Sequence, residues 1–231
     1  MSSIAQNLQV VRSRLAAACA SAQRDVHSVT LLAVSKTQPT ASVLQAHAAG
    51  QREFGENYVQ EALAKITELG ALRGELVWHL IGPLQSNKTR VVAEAFDWVH
   101  TVDRLKTAQR LSDQRPAHRP PLNVCLQVNI SGEDSKSGIE PAALDGLARE
   151  VAQLPRLRLR GLMAIPDAAA DLDAQRVPHR ALRQLLQRLQ AQGLDLDTLS
   201  IGMSADLEAA VLEGSTLLRV GTAIFGARLG N

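Results

Sequence analysis

Apolar positions along this chain keep two different periods, and the two alternate from one end to the other. At the start, Ile4, Leu8, Val11 and Leu15 recur at helical spacing around Arg12 and Arg14, which predicts an amphipathic helix. Short apolar runs of strand length follow at Val29–Val34, Glu53–Phe54, Leu76–Ile81, Trp98–Val102, Asn123–Ile130, Leu157–Ala164, Thr198–Gly202 and Leu217–Val220. Between them stand helical patterns at Val43–Ala49, Val59–Leu69, Lys88–Phe96, Leu105–Leu111, Ala142–Leu154, Ala181–Leu189 and Ala205–Leu212. The stretch DAAADLDAQRVPH, 167 to 179, reads as a mobile loop leading into a helix.

Regular exchange of strand and helix implies a parallel sheet with helices on its faces. About eight strands in a chain near the usual ~250 residues favours a closed (β/α)8 TIM-type barrel over an open doubly wound sheet. The expectation is one α/β domain over residues 1–231, with an extra helix at the N-terminus. Function in such a barrel gathers at the carboxyl ends of the strands. Those positions carry Lys36, then Gly55-Glu56-Asn57, Gly82, Asp103-Arg104, Asn129 to Gly138, Met163 to Pro166, Gly202-Met203-Ser204 and Gly221-Thr222. Turn and cap chemistry accounts for most of them singly. It does not account for Lys36 or Arg219.

Composition narrows the classes. With 45% hydrophobic and 21% charged residues the chain is an ordinary globular one, and 3% aromatics leave a core of Leu, Val, Ala and Ile. A net charge of +2, with no basic run interleaved with aromatics, gives no nucleic-acid footprint. Cys19 and Cys125 lie far apart in apolar surroundings and form neither a disulfide framework nor a zinc spacing, so reduced core cysteines of a cytoplasmic protein are expected. LAAACASA resembles a signal-peptidase site, but Arg12 and Arg14 interrupt any apolar core of a leader. No stretch is long and apolar enough to span a bilayer, and the six histidines show no metal-ligand spacing.

The chemistry concentrates in three stretches. LLAVSKTQP, 31 to 39, ends an aliphatic strand on Lys36, where desolvation can turn the amine into a nucleophile that forms a Schiff base with a carbonyl. LRVGTAIFG, 218 to 226, places Arg219 in the last strand and Gly221-Thr222 after it, where barrels commonly build a phosphate site. SIGMSADLEAA, 200 to 210, adds Gly202 for close approach and Ser204 opening a helix, as a cap, an anion ligand or both. A phosphate site beside a Schiff-base lysine suggests pyridoxal 5′-phosphate, with Arg219 facing its pyridine nitrogen. GPLQSNKT, 82 to 89, imitates a P-loop, but Asn87 replaces its second glycine and Pro83 removes an N–H from the cradle. GMSAD lacks the last glycine of a nucleophile elbow, and Lys136-Ser137-Gly138 has no S-x-x-K companion.

AVSKTQP, FGENYVQEA, WHLIGPLQSNK, HTVDR, NISGEDSKSG, RGLMAIP and LSIGMSADLEAAVLEGSTLLRVGTAIFGAR, in that order over nearly the whole chain, resemble the pyridoxal phosphate homeostasis protein family. That family is similar to the N-terminal barrel domain of alanine racemase. The resemblance implies Lys36 as the Schiff-base lysine, Ser204, Gly221 and Thr222 at the phosphate, and Arg219 at the ring nitrogen. It also implies Asn57, His79 and Met163 as pocket-lining residues. It further implies a monomer. The preferred reading is a holder of pyridoxal phosphate without turnover of its own, since Arg219 beside the ring nitrogen weakens the electron sink. The apoenzymes that use the cofactor are then its transient partners. Charge and hydropathy speak against nucleic acid or membrane.

Two catalytic alternatives stay open beside the carrier. An amino-acid racemase needs bases on both faces of its carbanion. The racemase fold takes the second from a separate C-terminal domain, whereas this chain stops once the barrel closes and has a single tyrosine, Tyr58. A Schiff-base aldolase needs a carboxylate proton shuttle, for which Glu56 and Asp103 are the candidates.

Overall fold

Aliphatic runs too short for helices become the staves of a closed barrel. In the computed structural model, which describes residues 3–132 and 137–226, these are β1 (Thr30–Val34), β2 (Glu53–Glu56), β3 (Val77–Leu80), β4 (Trp98–Val102), β5 (Leu122–Gln127), β6 (Leu157–Met163), β7 (Thr198–Ser200) and β8 (Leu217–Val220). They pair in sequence order, every pair parallel, and β8 closes onto β1 with Leu32 opposite Arg219. The open-sheet alternative is thereby excluded. Residues 133–136, part of the loop expected after the fifth strand, lie outside the described residues.

The helices are α1 (Ile4–Ser21), α2 (Thr40–Ala48), α3 (Val59–Glu68), α4 (Thr89–Ala95), α5 (Leu105–Gln114), α6 (Leu144–Ala152), α7 (Leu172–Ala191), α8 (Leu207–Leu212) and α9 (Thr222–Phe225). A capping box starts α1: Gln6 N–H donates to Ser3 Oγ at 3.2 Å, and Ser3 N–H to Gln6 Oε1 at 2.9 Å. Its stripe of Leu8, Val11 and Leu15 is buried, and the helix packs on α8 and α9. The reason for this extra helix is now plain. The helix after β8 has four residues, too few to cover the seam between β8 and β1, and α1 supplies the missing cover.

Two expectations need correction. The stretch 167 to 179 is largely helical, because Asp171 caps α7 through the Ala174 N–H at 2.8 Å and the helix runs on through Pro178. Burial of His179, Leu182, Leu186 and Leu189 along one face holds it despite the proline. Ser204 does not open a helix either. It lies in a bend, and α8 begins at Leu207 with Asp206 in the cap position.

The main core lies between strands and helices, where Phe54, Trp78 and Phe96 are its largest aromatic side chains. A smaller apolar cluster of Leu32, Ile81 and Leu217, with Val34 against it, sits inside the barrel. Both cysteines are buried and unbridged, and burial pushes the Cys125 thiol up to about 12. Among the described residues, no helix is long and apolar enough to cross a membrane.

Candidate functional site

Side chains alternate along a strand, and at the carboxyl end of β1 that alternation separates Ser35 from Lys36. Ser35 turns outward toward α3, where its hydroxyl donates to Glu56 Oε1 at 2.6 Å. Lys65 of α3 is buried behind the sheet, its ammonium donating to the Ser35 carbonyl at 2.7 Å, to Glu56 Oε1 at 2.8 Å and to Glu61 Oε1 at 2.6 Å. Thr37 has φ of +61°, unusual for a β-branched residue, and its N–H is held by Glu61 Oε1 at 2.6 Å. Lys36, half-buried, therefore stands between two anchored neighbours. Burial raises the Glu56 carboxyl above its ordinary range, opposed by Lys65. Glu56 faces the helices, which removes it as a proton shuttle in the mouth.

Across the carboxyl ends of β2 to β6 a cavity of about 440 Å³ opens, lined by Asn57, Gly82, Thr101, Asp103, Gln127 and Asn129 among others. Asn57 Oδ1 is buried there without a hydrogen-bond partner, an arrangement that proteins normally avoid. Asp103 pairs with Arg104 Nε at 2.9 Å. The P-loop imitation next to it is inert, since the Thr89 hydroxyl is buried and donates to the Ser86 carbonyl at 3.1 Å.

The other side of the mouth comes from β7 and β8. Gly202 has φ of +90°, and a Cβ there would lie 2.4 Å from Ala210 Cβ and 2.6 Å from Leu218 Cδ2, so only glycine fits. The loop beyond it is pinned twice. Asp206 Oδ1 accepts the Met203 N–H at 2.6 Å while Oδ2 meets His179 Nε2 at 2.9 Å, and Arg14 of α1 donates to the Ser204 carbonyl at 2.7 Å. Burial works to raise the Asp206 carboxyl, but these hydrogen bonds prevail and hold it low. Gly221 lies against the end of β1, where a Cβ would be 3.3 Å from the Val34 carbonyl oxygen. Thr222 follows it, exposed, and starts α9.

Arg219 is buried in β8 and reaches past the adjacent β7 to the end of β6. Its Nη1 donates to the Ser200 carbonyl at 2.6 Å and to Ser200 Oγ at 2.8 Å, and its Nη2 to the Ala164 carbonyl at 2.9 Å. The guanidinium is thus held at the carboxyl ends of β6 and β7. Burial lowers it to about 10, which leaves it a cation at neutral pH. Met163 ends β6, buried, with Gln127 and Ser200 as its register partners.

Lys36, Asn57, Met163, Ser204, Arg219, Gly221 and Thr222 are therefore all at one end of the barrel. His79 is not with them. Its ring meets Glu53 Oε2 at 2.6 Å and lines a separate cavity at the amino ends of the strands. Three inward or buried polar residues went unnoticed in the sequence: His100, Ser200 and Lys65. For the first two the available signal was a polar residue at an alternate position inside an otherwise apolar strand. Among the described residues no group of three His, Cys, Asp or Glu side chains could hold a metal ion.

An amine at a strand end, two loop hydroxyls, glycine-lined backbone and a buried guanidinium form a donor set for a small anion bearing an aldehyde and a ring acceptor, and the orphaned Asn57 oxygen adds one acceptor. Pyridoxal phosphate has those groups, and the residues fit it. A family model described as "Alanine racemase, N-terminal domain" matches residues 2–229. The chain is 62% identical over 228 residues to a pyridoxal phosphate homeostasis protein of Pseudomonas aeruginosa, covering 99% of this chain and 97% of that one. It is 56% identical over 231 residues to the protein of the same name from Escherichia coli K12, covering 99% and 98%. The solved structure of PipY from Synechococcus elongatus PCC7942 with PLP bound is similar at a TM-score of 0.84 and 41% identity, covering 96% of this chain and 100% of that one. Sharing more than half of its residues with the Pseudomonas and Escherichia proteins and the barrel with PipY, the chain belongs to the pyridoxal phosphate homeostasis protein family, built on the alanine racemase N-terminal domain.

Proposed function

We propose that this protein binds pyridoxal 5′-phosphate at the carboxyl end of its barrel and serves the homeostasis of that cofactor without turnover of its own. The observation that carries this is the pairing of β1 with β8, which puts Lys36 at the same mouth as Arg219 and the Gly221-Thr222 turn. When bound, the cofactor supplies an aldehyde that an amine captures and a ring that can accept negative charge. Lys36 provides the amine. The Ser204 and Thr222 hydroxyls and the backbone at Gly221 hold the phosphate. Arg219 donates to the ring nitrogen, and a permanent cation there keeps that nitrogen unprotonated. Asn57 offers its orphaned oxygen, and Met163 lines the pocket beside Gln127.

Absence of turnover is supported by two features. Arg219 weakens the ring as an electron sink, and the single tyrosine of the sequence, Tyr58, is exposed at the start of α3 rather than buried in the pocket. The names of the relatives and the PLP bound to PipY support a holder of the cofactor; the apoenzymes that use it are its proposed recipients. The test is the absorbance spectrum of the purified protein before and after borohydride, followed by peptide mapping. Reduction should fix the cofactor on Lys36, and Lys36→Ala should abolish the visible band. A label found on another lysine overturns the assignment. Enzyme-level exchange of α-hydrogens of amino acids in deuterated water, lost in Lys36→Ala, would restore the racemase alternative.

A further inference from the structure

Arg219 is not left to itself inside the barrel. Ser200 Oγ, which accepts from Arg219 Nη1 at 2.8 Å, lies 2.8 Å from His100 Nδ1. His100 Nε2 lies 2.9 Å from His79 Nδ1, and His79 Nε2 lies 2.6 Å from Glu53 Oε2. Ser200, His100 and His79 are each at most 1% exposed. Glu53 is partly exposed in a cavity of about 230 Å³ at the amino ends of the strands, with Trp98 and Arg160 on its wall. Trp98 stacks on His79 with centroids 5.3 Å apart, and Arg160, paired with Asp197, lies 4.7 Å over the Trp98 ring. One unbroken line of hydrogen bonds thus runs the length of the barrel, from a carboxylate at its base to a guanidinium at its mouth.

The two ends dictate the direction of every link. A guanidinium only donates and a carboxylate only accepts. With both rings neutral, His79 donates from Nε2 to Glu53 and so accepts at Nδ1. His100 then donates from Nε2 and accepts at Nδ1 from the Ser200 hydroxyl, whose oxygen accepts from Arg219. Each ring takes the same tautomer, and each link is satisfied once. If either ring were turned, one link would bring two donors or two acceptors together inside a dry barrel.

We infer that Ser200, His100, His79 and Glu53 form a polarised relay that aims the Arg219 guanidinium, making them positioning residues for the ring that Arg219 faces. Its effect on a ring rests on the function proposed above, whereas the relay and its polarity do not. The base of the barrel thereby acts on the mouth without touching a ligand.

The relay is tested first in the cofactor-free protein by 15N NMR of labelled histidine. Both His79 and His100 should show an unprotonated Nδ1 and a protonated Nε2. Ser200→Ala should shift the resonances of His79, one link beyond the ring it touches, and speed exchange of the Arg219 guanidinium protons. In the loaded protein, Ser200→Ala and Glu53→Gln should move the absorbance maximum and weaken pyridoxal phosphate about tenfold, an ordinary size for coupled sites. Thr30→Val, at the same basal rim but off the relay, should leave both unchanged. A protonated Nδ1 on His100 overturns the inference. So do Ser200→Ala and Glu53→Gln variants with wild-type affinity and spectrum. If the wild-type protein takes up no pyridoxal phosphate, the proposed function falls. The relay is then decided by the tautomers and by Arg219 exchange, and an unaltered exchange rate in Ser200→Ala overturns it.

Discussion

Two lysines within thirty residues of each other meet opposite fates because one faces the helices and the other ends a strand. Lys65 is 5% exposed and is matched to the wholly buried Glu56. Glu56 Oε2 has no partner of its own, so the pair stabilises the fold only while both members remain. Lys65→Met should cost about 3–5 kcal/mol, the usual penalty for stranding a buried charge, and adding Glu56→Gln should recover part of it. Urea denaturation of the single and double variants measures this. Lys36 itself should prove indispensable for the cofactor, which loss of the visible band in Lys36→Ala reads. The phosphate anchor is tested at the same scale. Replacing Ser204 and Thr222 together by Ala should weaken pyridoxal phosphate by a few kcal/mol, at about 1.5–3 for each hydrogen bond to a charged group. Binding of pyridoxal, which lacks the phosphate, should lose far less, and titration of both ligands gives the comparison.

Among the elements, α7 departs most from local preference. Pro178 in its second turn removes the N–H that would reach the Ala174 carbonyl, and Val177 before it is forced into a helical conformation that a following proline disfavours. Asp171 at the start and the buried face from His179 to Leu189 carry the helix through. Pro178→Ala should therefore stabilise the protein, by up to about 3 kcal/mol, and a shift of the urea midpoint reads it directly. The same helix braces the mouth, since His179 holds Asp206 and Asp206 holds the backbone beside Ser204. On the opposite flank α1 does likewise through Arg14. Both elements that support the phosphate loop lie outside the strand ends themselves.

At the scale of the whole molecule, the buried polar relay makes stability depend on pH. Burial first, then His79 and Arg219, hold His100 well below the ordinary imidazole value. An unfolded histidine titrates near 6.5, so below that pH the unfolded chain takes up a proton that folded His100 refuses. Stability is fully present above about 6.5 and is lost as pH falls, by about 1.4 kcal/mol per unit from this group. Glu56, raised by burial, acts in the opposite sense and offsets part of the slope. Urea unfolding between about pH 7.5 and 5.5 should show the loss, and His100→Gln should flatten the curve relative to wild type.

The pattern of residues along the chain was enough to read the barrel, because a strand period and a helical period exchanging about eight times leave few other closed architectures. It was enough, too, to single out Lys36 and Arg219 as candidates, since a charge inside or at the end of an aliphatic strand is costly to desolvate. The helix through Pro178 and the bend at Ser204 were not legible, because burial and hydrogen bonds from elements distant in sequence overrode local propensity. His79 was assigned to the wrong end of the barrel for a related reason. A strand's alternation tells which face a side chain takes, but not whether its ring leans toward the amino or the carboxyl end. Only closure of the barrel brought Glu53, His79, His100, Ser200 and Arg219 into line. These five residues sit on five different strands, and it is hydrogen bonding across a dry interior, where an unpaired polar group is expensive, that joins them into one chain.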